Sequence, residues 1–374
     1  MKIAFVLPGG VDRCGDQRVI PCLLWLVERL VAAGDELHIF ALNQEPRPGR
    51  WPLLGAIVHN AGARPRQLRA FAALAAEHRR APFDVVHGFW ATGPGVVSAA
   101  FARLAHLPAV LTVPGSELTA IPEIGYGGQL TLTGRLWTRL ALAGADRVIV
   151  ESDWVARRAA RFGVVPVHLP FGVALDRWPL LAPRRRQPGA PLRLLHVANL
   201  NPVKDHETLL LALHELDRRG IAFTLDAIGL DTMGGAVQKR CADLGLSERV
   251  TFQGVMTHAG QRPWFEAADL LVVSSRHEGA PLVAQEAGIA GVPTVGTAVG
   301  HIADWAPEAA VAVAVCDAAA LAAAIADLAA DEEKRLRLAD AAQIAASRVD
   351  ADVTARTIRA LYADLIRSGR QRTR

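Results

Sequence analysis

Short apolar runs alternate with amphipathic stretches along nearly the whole chain, a pattern that predicts parallel sheets covered by helices on both faces. Residues 3–7 read as the first strand and 21–33 as its helix, stopped by Gly34. Strands follow at 37–42, 56–59, 84–87, 109–113, 147–151 and 165–169. Helices are predicted at 66–80, from near Gly95, at 134–143 and at 154–162. The glycine-rich segment PEIGYGGQ, residues 122–129, interrupts this rhythm and reads as a lid or acceptor loop. After residue 191 the alternation restarts, with strands at 194–197, 223–228, 249–252, 270–273, 294–296 and 311–315. An alanine-rich helical tail begins at Asp317, Asp350 suits the cap of a last helix reaching about Ile366, and the closing SGRQRTR reads as frayed.

This punctuation divides the chain. Residues 1–180 form a first unit and 181–191, rich in proline and arginine, a linker. Residues 192–350 form a second unit. Residues 351–374 form a helix and basic tail, the helix packing back on the first unit. The fold class is therefore α/β, two doubly wound Rossmann-like lobes, and ligands in such sheets bind beyond the carboxyl ends of the strands, here in a cleft that the lobes face.

Composition narrows the function. Half of the residues are apolar, yet no uninterrupted run of about 18 marks a spanning helix. The apolar start MKIAFVL is too short for a signal peptide, and the four scattered cysteines show no metal spacing, so a cytoplasmic chain is expected. The net charge of +4 conceals +8 over residues 1–190 (22 basic against 14 acidic) and −4 over the remainder (19 against 23). Arg64, Arg66, Arg69, Arg79 and Arg80 on one helix, and Arg157, Arg158 and Arg161 on another, suit a solvated face or peripheral contact with anionic lipid at the inner membrane face. Aromatic residues do not accompany these arginines, which disfavours nucleic acid.

The densest chemistry lies in SSRHEGAPLVAQEAGIAGVPTVGTAVG, residues 274–300. Pro281 suits a first helical turn and Gly291 with Pro293 its stop, so Glu278 sits in the loop before a helix and Glu286 on its second turn. Unpaired N–H groups at a helix start suit a phosphate or sugar hydroxyls. Other devices are excluded. PGGVDRCG after the first strand lacks the dinucleotide spacing and has Asp16 where a phosphate-binding lysine would stand, and GSEL at 115–118 is not a serine elbow. Asp350 and Asp352 open a helix and read as caps, so no metal is expected.

The 274–300 segment resembles the signature of retaining GT-B glycosyltransferases of the family 4 type, in which Glu, seven residues and Glu precede small residues and Gly-x-Pro. HVANLNPVKDHETLLLAL, residues 196–213, resembles that family's phosphate-binding turn, and RVTFQGVM and ADLLVVSS follow in family order. DVVHGF, VLTVPGSEL, ADRVIVES and LPFGVALDRW match more loosely. The resemblance implies a metal-independent transferase that uses a nucleotide diphosphate sugar as substrate, without a cofactor, and a sugar, lipid-linked or small-molecule hydroxyl acceptor, in polysaccharide, glycolipid or other glycoconjugate synthesis. Lys204 can supply positive charge to the leaving diphosphate, the N–H groups around Gly279, Ala280 and Leu282 can hold the sugar or the phosphate, and Asn199 is counted with them as donor-binding; the resemblance assigns Glu278 to the transferred sugar and Glu286 to the ribose. Gly9 and Gly10 would let backbone approach the donor, and His87, at a strand end, would touch donor or acceptor; Ser116 and Glu117 follow the next strand. Two positions depart from the pattern: Pro114 stands where a sugar-contacting histidine is usual, and Asn199 where an arginine precedes the lysine, with Arg276 the nearest substitute. A nucleotide-sugar epimerase, a phosphorylase of the same fold, or a binding protein with a decayed site remain the rival expectations.

Overall fold

The structure is a computed structural model that describes residues 1–372, with side chains to Gly369. It divides into two compact units, Met1–Phe171 together with the segment from Ala351, and Gly172–Asp350. The first holds β1 (Lys2–Leu7), β2 (Glu36–Ala41), β3 (Gly49–Leu53), β4 (Ala56–Asn60), β5 (Val85–Phe89), β6 (Ala109–Thr112), β7 (Arg147–Val150) and β8 (Val167–His168). Their order is β3-β4-β2-β1-β5-β6-β7-β8, parallel throughout except for the β3–β4 pair. β1 is buried along its whole length, which is why it reads as an unbroken apolar run. β3 does not announce itself: it is an edge strand, carries Pro52, and buries only Trp51 and Leu53 on one face.

The helices cover this sheet through narrow apolar stripes. Helix Arg66–Arg80 buries Ala70, Leu74 and Glu77, spaced by four and three. The C-terminal helix Ala351–Arg372 buries Ala351, Thr354, Ala355, Ile358 and Tyr362, the same spacing, and packs on helix Pro21–Ala32. Ion pairs fix it there: Asp352 lies 2.7 Å from Arg29, and Arg359 lies 2.8 Å from Asp35. This helix runs beyond the anticipated end at Ile366 to Arg372, and the last two residues of the segment read as frayed lie outside the described residues.

The second unit holds β9 (Leu192–Val197), β10 (Phe223–Ile228), β11 (Val250–Gly254), β12 (Leu270–Val273), β13 (Thr294–Thr297) and β14 (Ala310–Val313). They form one parallel sheet in the order β11-β10-β9-β12-β13-β14. Residues 181–191, read as a linker, lie inside this unit. Their polar groups are bolted down: Leu181 N–H donates to the Ile289 carbonyl at 3.0 Å, Arg184 pairs with Asp269 at 3.1 Å, and the Arg184 carbonyl accepts from fully buried Arg335 at 2.6 Å. Proline and arginine here mark a strap, because buried acceptors on neighbouring elements supply what a free linker takes from water.

Each sheet reverses its winding direction once. In the first, β1 lies between β2 and β5; in the second, β9 lies between β10 and β12. Chain leaving the carboxyl ends of β1 and β5, and of β9 and β12, must diverge to opposite faces and so leaves a crevice open.

Candidate functional site

In the second unit that crevice gathers the loops after β9 and β12. The loop after β9 ends in a 3-10 turn, Pro202–Lys204, and Asp205 then caps helix His206–Arg218, its carboxylate accepting from the Thr208 N–H and hydroxyl. The loop after β12 is laced to it. Arg276 N–H donates to the Val203 carbonyl at 2.8 Å, and Ser274 Oγ donates to the Lys204 carbonyl at 2.7 Å. The consequence is a pair 74 residues apart in sequence: Lys204 Nζ lies 2.5 Å from Glu278 Oε1, which also accepts from Ser275 Oγ at 2.6 Å. Both side chains are partly open to solvent, at 23% and 15%.

Helix Leu282–Ile289 begins directly after this loop, with Pro281 at its N-cap and no side-chain cap on its N–H groups. Gly279, Ala280 and Leu282 are half-buried at its mouth. Gly300, at φ +50°, permits the loop to lie close: a Cβ there would stand 2.7 Å from the Gly279 carbonyl oxygen and 2.8 Å from Pro281 Cδ. Arg276 Nε lies 3.2 Å from Asp205, so its charge is already paired. Asn199 is exposed and accepts from Leu230 N–H at 3.1 Å.

Glu286 is nearly closed off, 3% exposed, and Oε1 lies 2.5 Å from His258 Nε2. Its carbonyl accepts from the indole N–H of Trp178 at 3.0 Å, and that indole lies 4.8 Å from the His258 ring, centre to centre. His258 and Trp178 were not singled out from the sequence. A lone histidine opening a helix and a tryptophan 108 residues before its partner carry no spacing that links them to Glu286.

His87 is corrected by the structure. It is completely buried in the first unit, with Nδ1 2.5 Å from the Tyr362 hydroxyl and Nε2 2.8 Å from Thr112 Oγ1. Burial pushes its pKa down to about 3, so the ring is neutral and donates from one nitrogen while accepting at the other. It ties the C-terminal helix to the middle of the sheet and is closed off from solvent. Glu117 is similarly internal: its carboxylate accepts from Ala91 N–H, Gly115 N–H and Ser116 Oγ at 2.7, 3.1 and 3.2 Å. Segment 122–129, read as a lid, folds on itself through an Ile121–Tyr126 bridge, and Gln129 donates to the Glu117 carbonyl.

Gly9 and Gly10 do lie at the crevice of the first unit. Gly10, at φ +90°, donates to Gln44 Oε1 at 2.6 Å, and both glycines line a cavity at the ends of β1, β2 and β5. The arginines of helix Arg66–Arg80 do not form one face: Arg66 lines that cavity, Arg69 donates to the Ala63 carbonyl, and Arg80 pairs with Glu77. His38 on β2, His59 on β4 and Glu77 on helix Arg66–Arg80 come together, but Lys2 Nζ sits 3.0 Å from Glu77 and already neutralises the charge a cation would need.

Two family models match the chain. The one described as "Glycosyl transferases group 1" covers residues 182–344, and the one described as "Glycosyl transferase 4-like domain" covers 19–172. A protein of Frankia alni named D-inositol 3-phosphate glycosyltransferase is 29% identical over 256 residues, 61% of this chain. The chain spans 60% of that relative's length. Among solved structures, sucrose-phosphate synthase of Thermosynechococcus elongatus aligns with a TM-score of 0.83 at 22% identity, covering 98% of this chain and 99% of that one. Anabaena HepE in complex with UDP-glucose aligns with a TM-score of 0.74 at 20% identity, covering 98% of this chain and 100% of that one. Both likenesses concern the fold, two parallel-sheet units of GT-B type.

Proposed function

The chain belongs to the group 1 glycosyl transferases, and from that premise we propose that it moves a sugar from a nucleotide diphosphate sugar to an acceptor hydroxyl with retention at the anomeric carbon. The observation that carries this reading is the Lys204–Glu278 pair at the mouth of an uncapped helix, at the winding reversal of the second sheet. An arriving diphosphate brings more charge than one carboxylate, so the ammonium turns to it and the helix N–H groups receive its oxygens. Glu278, released from Lys204, then meets the sugar's hydroxyls and the positive charge that grows at the anomeric carbon. The Glu286–His258 pair orients the ribose.

In the reaction the bond from the anomeric carbon to the phosphate oxygen breaks, and the electron pair leaves with the nucleoside diphosphate. The acceptor oxygen bonds to the same face of that carbon, and its proton passes to the departing phosphate. Lys204 stabilises the leaving group, which makes a metal ion unnecessary, and Glu278 and the loop position the reactants. HepE was solved with UDP-glucose, which favours UDP-sugars as the first donors to try. The test is product formation by Lys204→Ala and Glu278→Ala beside the parent protein, with the anomeric configuration read from the proton coupling constant. Normal turnover in either variant, or an inverted product, contradicts the proposal.

A further inference from the structure

We propose that helix Leu132–Ala143 of the first unit docks on a lipid bilayer that carries anionic headgroups, lying in the interface with its leucines inserted and its arginines at the headgroup phosphates. The inference does not rest on the transferase reading above. It moves the lipid contact expected from the arginines of residues 64–80 and 157–161 to a different helix. Leu132, Leu136 and Leu140 recur at every fourth residue and are 81%, 55% and 51% exposed. That spacing sets them in one stripe along the helix. Among the described residues, no other helix exposes more than one large apolar side chain. The face turned to the protein buries Thr138, Ala141 and Leu142, so three leucines point outward against one inward. A helix facing water carries the opposite distribution, and an apolar medium on the outer side accounts for this one.

The flank of the stripe is positive. Arg135 and Arg139 are exposed beside it; Arg135 donates to the Gln129 carbonyl at 2.8 Å and so keeps its charge, and Arg139 makes no ion pair among the described residues. Helix Gly93–Ala105 packs against this one so closely that a Cβ on Gly95 would stand 2.9 Å from Ala141 Cβ, and it adds exposed Arg103 and Leu104. From Gly93 to Ala145 the chain contains only two carboxylates, Glu117 and Glu123, and Glu117 is buried. On the next helix, Arg66–Arg80, the one carboxylate is Glu77, buried and held by Lys2. Leucines flanked by guanidiniums that no carboxylate neutralises match a layer with phosphates outside and hydrocarbon within. The same charges disfavour a second copy of this chain. A two-fold contact through the stripe would bring Arg135 and Arg139 towards their own counterparts, with no carboxylate on the helix to pair them. The helix has 12 residues and spans about 18 Å, too short to cross a bilayer and suited to lying on one. Trp137, half-buried on its other flank, lines the cavity at the ends of β1, β2 and β5, so docking sets that cavity beside the headgroup layer.

The experiment is flotation of the full chain at physiological salt with vesicles of phosphatidylcholine alone and of phosphatidylcholine with about one-third phosphatidylglycerol, beside light scattering of the protein without lipid. The chain floats with the anionic vesicles at least tenfold more than with the neutral ones. Leu136→Glu and Leu132→Ser each reduce that flotation at least fivefold, and Arg135→Gln combined with Arg139→Gln reduces it at least threefold. All four side chains are exposed, so the thermal midpoint and the affinity for UDP stay as in the parent; Leu132→Ser, at the most exposed position, decides the matter if Leu136→Glu lowers the midpoint. Four results overturn the proposal. The parent does not float with anionic vesicles; it floats equally with neutral ones, so that charge plays no part; the leucine variants float as the parent does, which places the contact on another basic surface; or the parent is an oligomer that Leu136→Glu dissociates, which makes the stripe the seat of a second copy.

Discussion

Lys204 and Glu278 are partly solvated and hold each other at a loop edge, so either can be removed at little cost in stability; exposed ion pairs contribute about 0–1 kcal/mol. Their loss is expected to appear in turnover instead. Lys204→Ala and Glu278→Ala each lower kcat at least 100-fold, about 2.7 kcal/mol of transition-state stabilisation, with the thermal midpoint nearly unchanged. A stability loss matching the activity loss would make the pair structural. A different carboxyl governs pH dependence. Glu151 follows β7, makes no hydrogen bond among the described residues, and has its pKa raised to about 7 by burial and by the neighbouring Glu117 charge. From its ordinary 4.5 up to 7 only the unfolded chain ionises there, so unfolding releases a proton and stability falls as pH rises; above 7 the loss is complete and constant. Glu151→Gln therefore raises the melting temperature relative to the parent more at pH 8 than at pH 5. An equal effect at both values would contradict this.

At the scale of elements, the loop from Gly279 to Leu282 depends on Gly300. Alanine there costs about 1–2 kcal/mol in the left-handed region and drives its Cβ into the Gly279 carbonyl and Pro281. Gly300→Ala is expected to weaken UDP binding at least tenfold by shifting the helix mouth, measured by titration; unchanged affinity would detach that loop from the site. Most elements were legible because buried parallel strands are continuous apolar runs and the helices carry stripes at helical spacing. The edge strand β3 was not, since a proline and a half-exposed face hide the signal. The strap 181–191 was misread for a related reason: composition records arginines and prolines, and the acceptors that bury them stand far away in sequence.

Across the whole molecule, chain order reveals which loops follow which strands, and this brought Lys204 and Glu278 into view before any coordinates. It does not reveal whether a side chain at a strand end points into solvent or into the core. His87 illustrates the gap: the apolar run predicts a strand that ends at it, yet β5 continues through Phe89 and Tyr362, 275 residues later, closes over it. Charge patterning was equally incomplete. The excess of arginine in residues 1–190 is visible in the sequence, but that Arg66, among the arginines of its helix, lines a cavity depends on how β1, β2 and β5 end together. With Lys204 as the cation on the leaving group, EDTA is expected to leave the transfer rate unchanged, and a loss restored by a divalent ion would reassign that role.

The most direct measurement is the affinity of the full chain for UDP against uridine, in the parent and in Lys204→Met. The account predicts that the parent prefers UDP at least 100-fold and that the substitution reduces this preference to less than tenfold without changing the affinity for uridine. The same preference in both proteins would contradict the assignment of the diphosphate to Lys204.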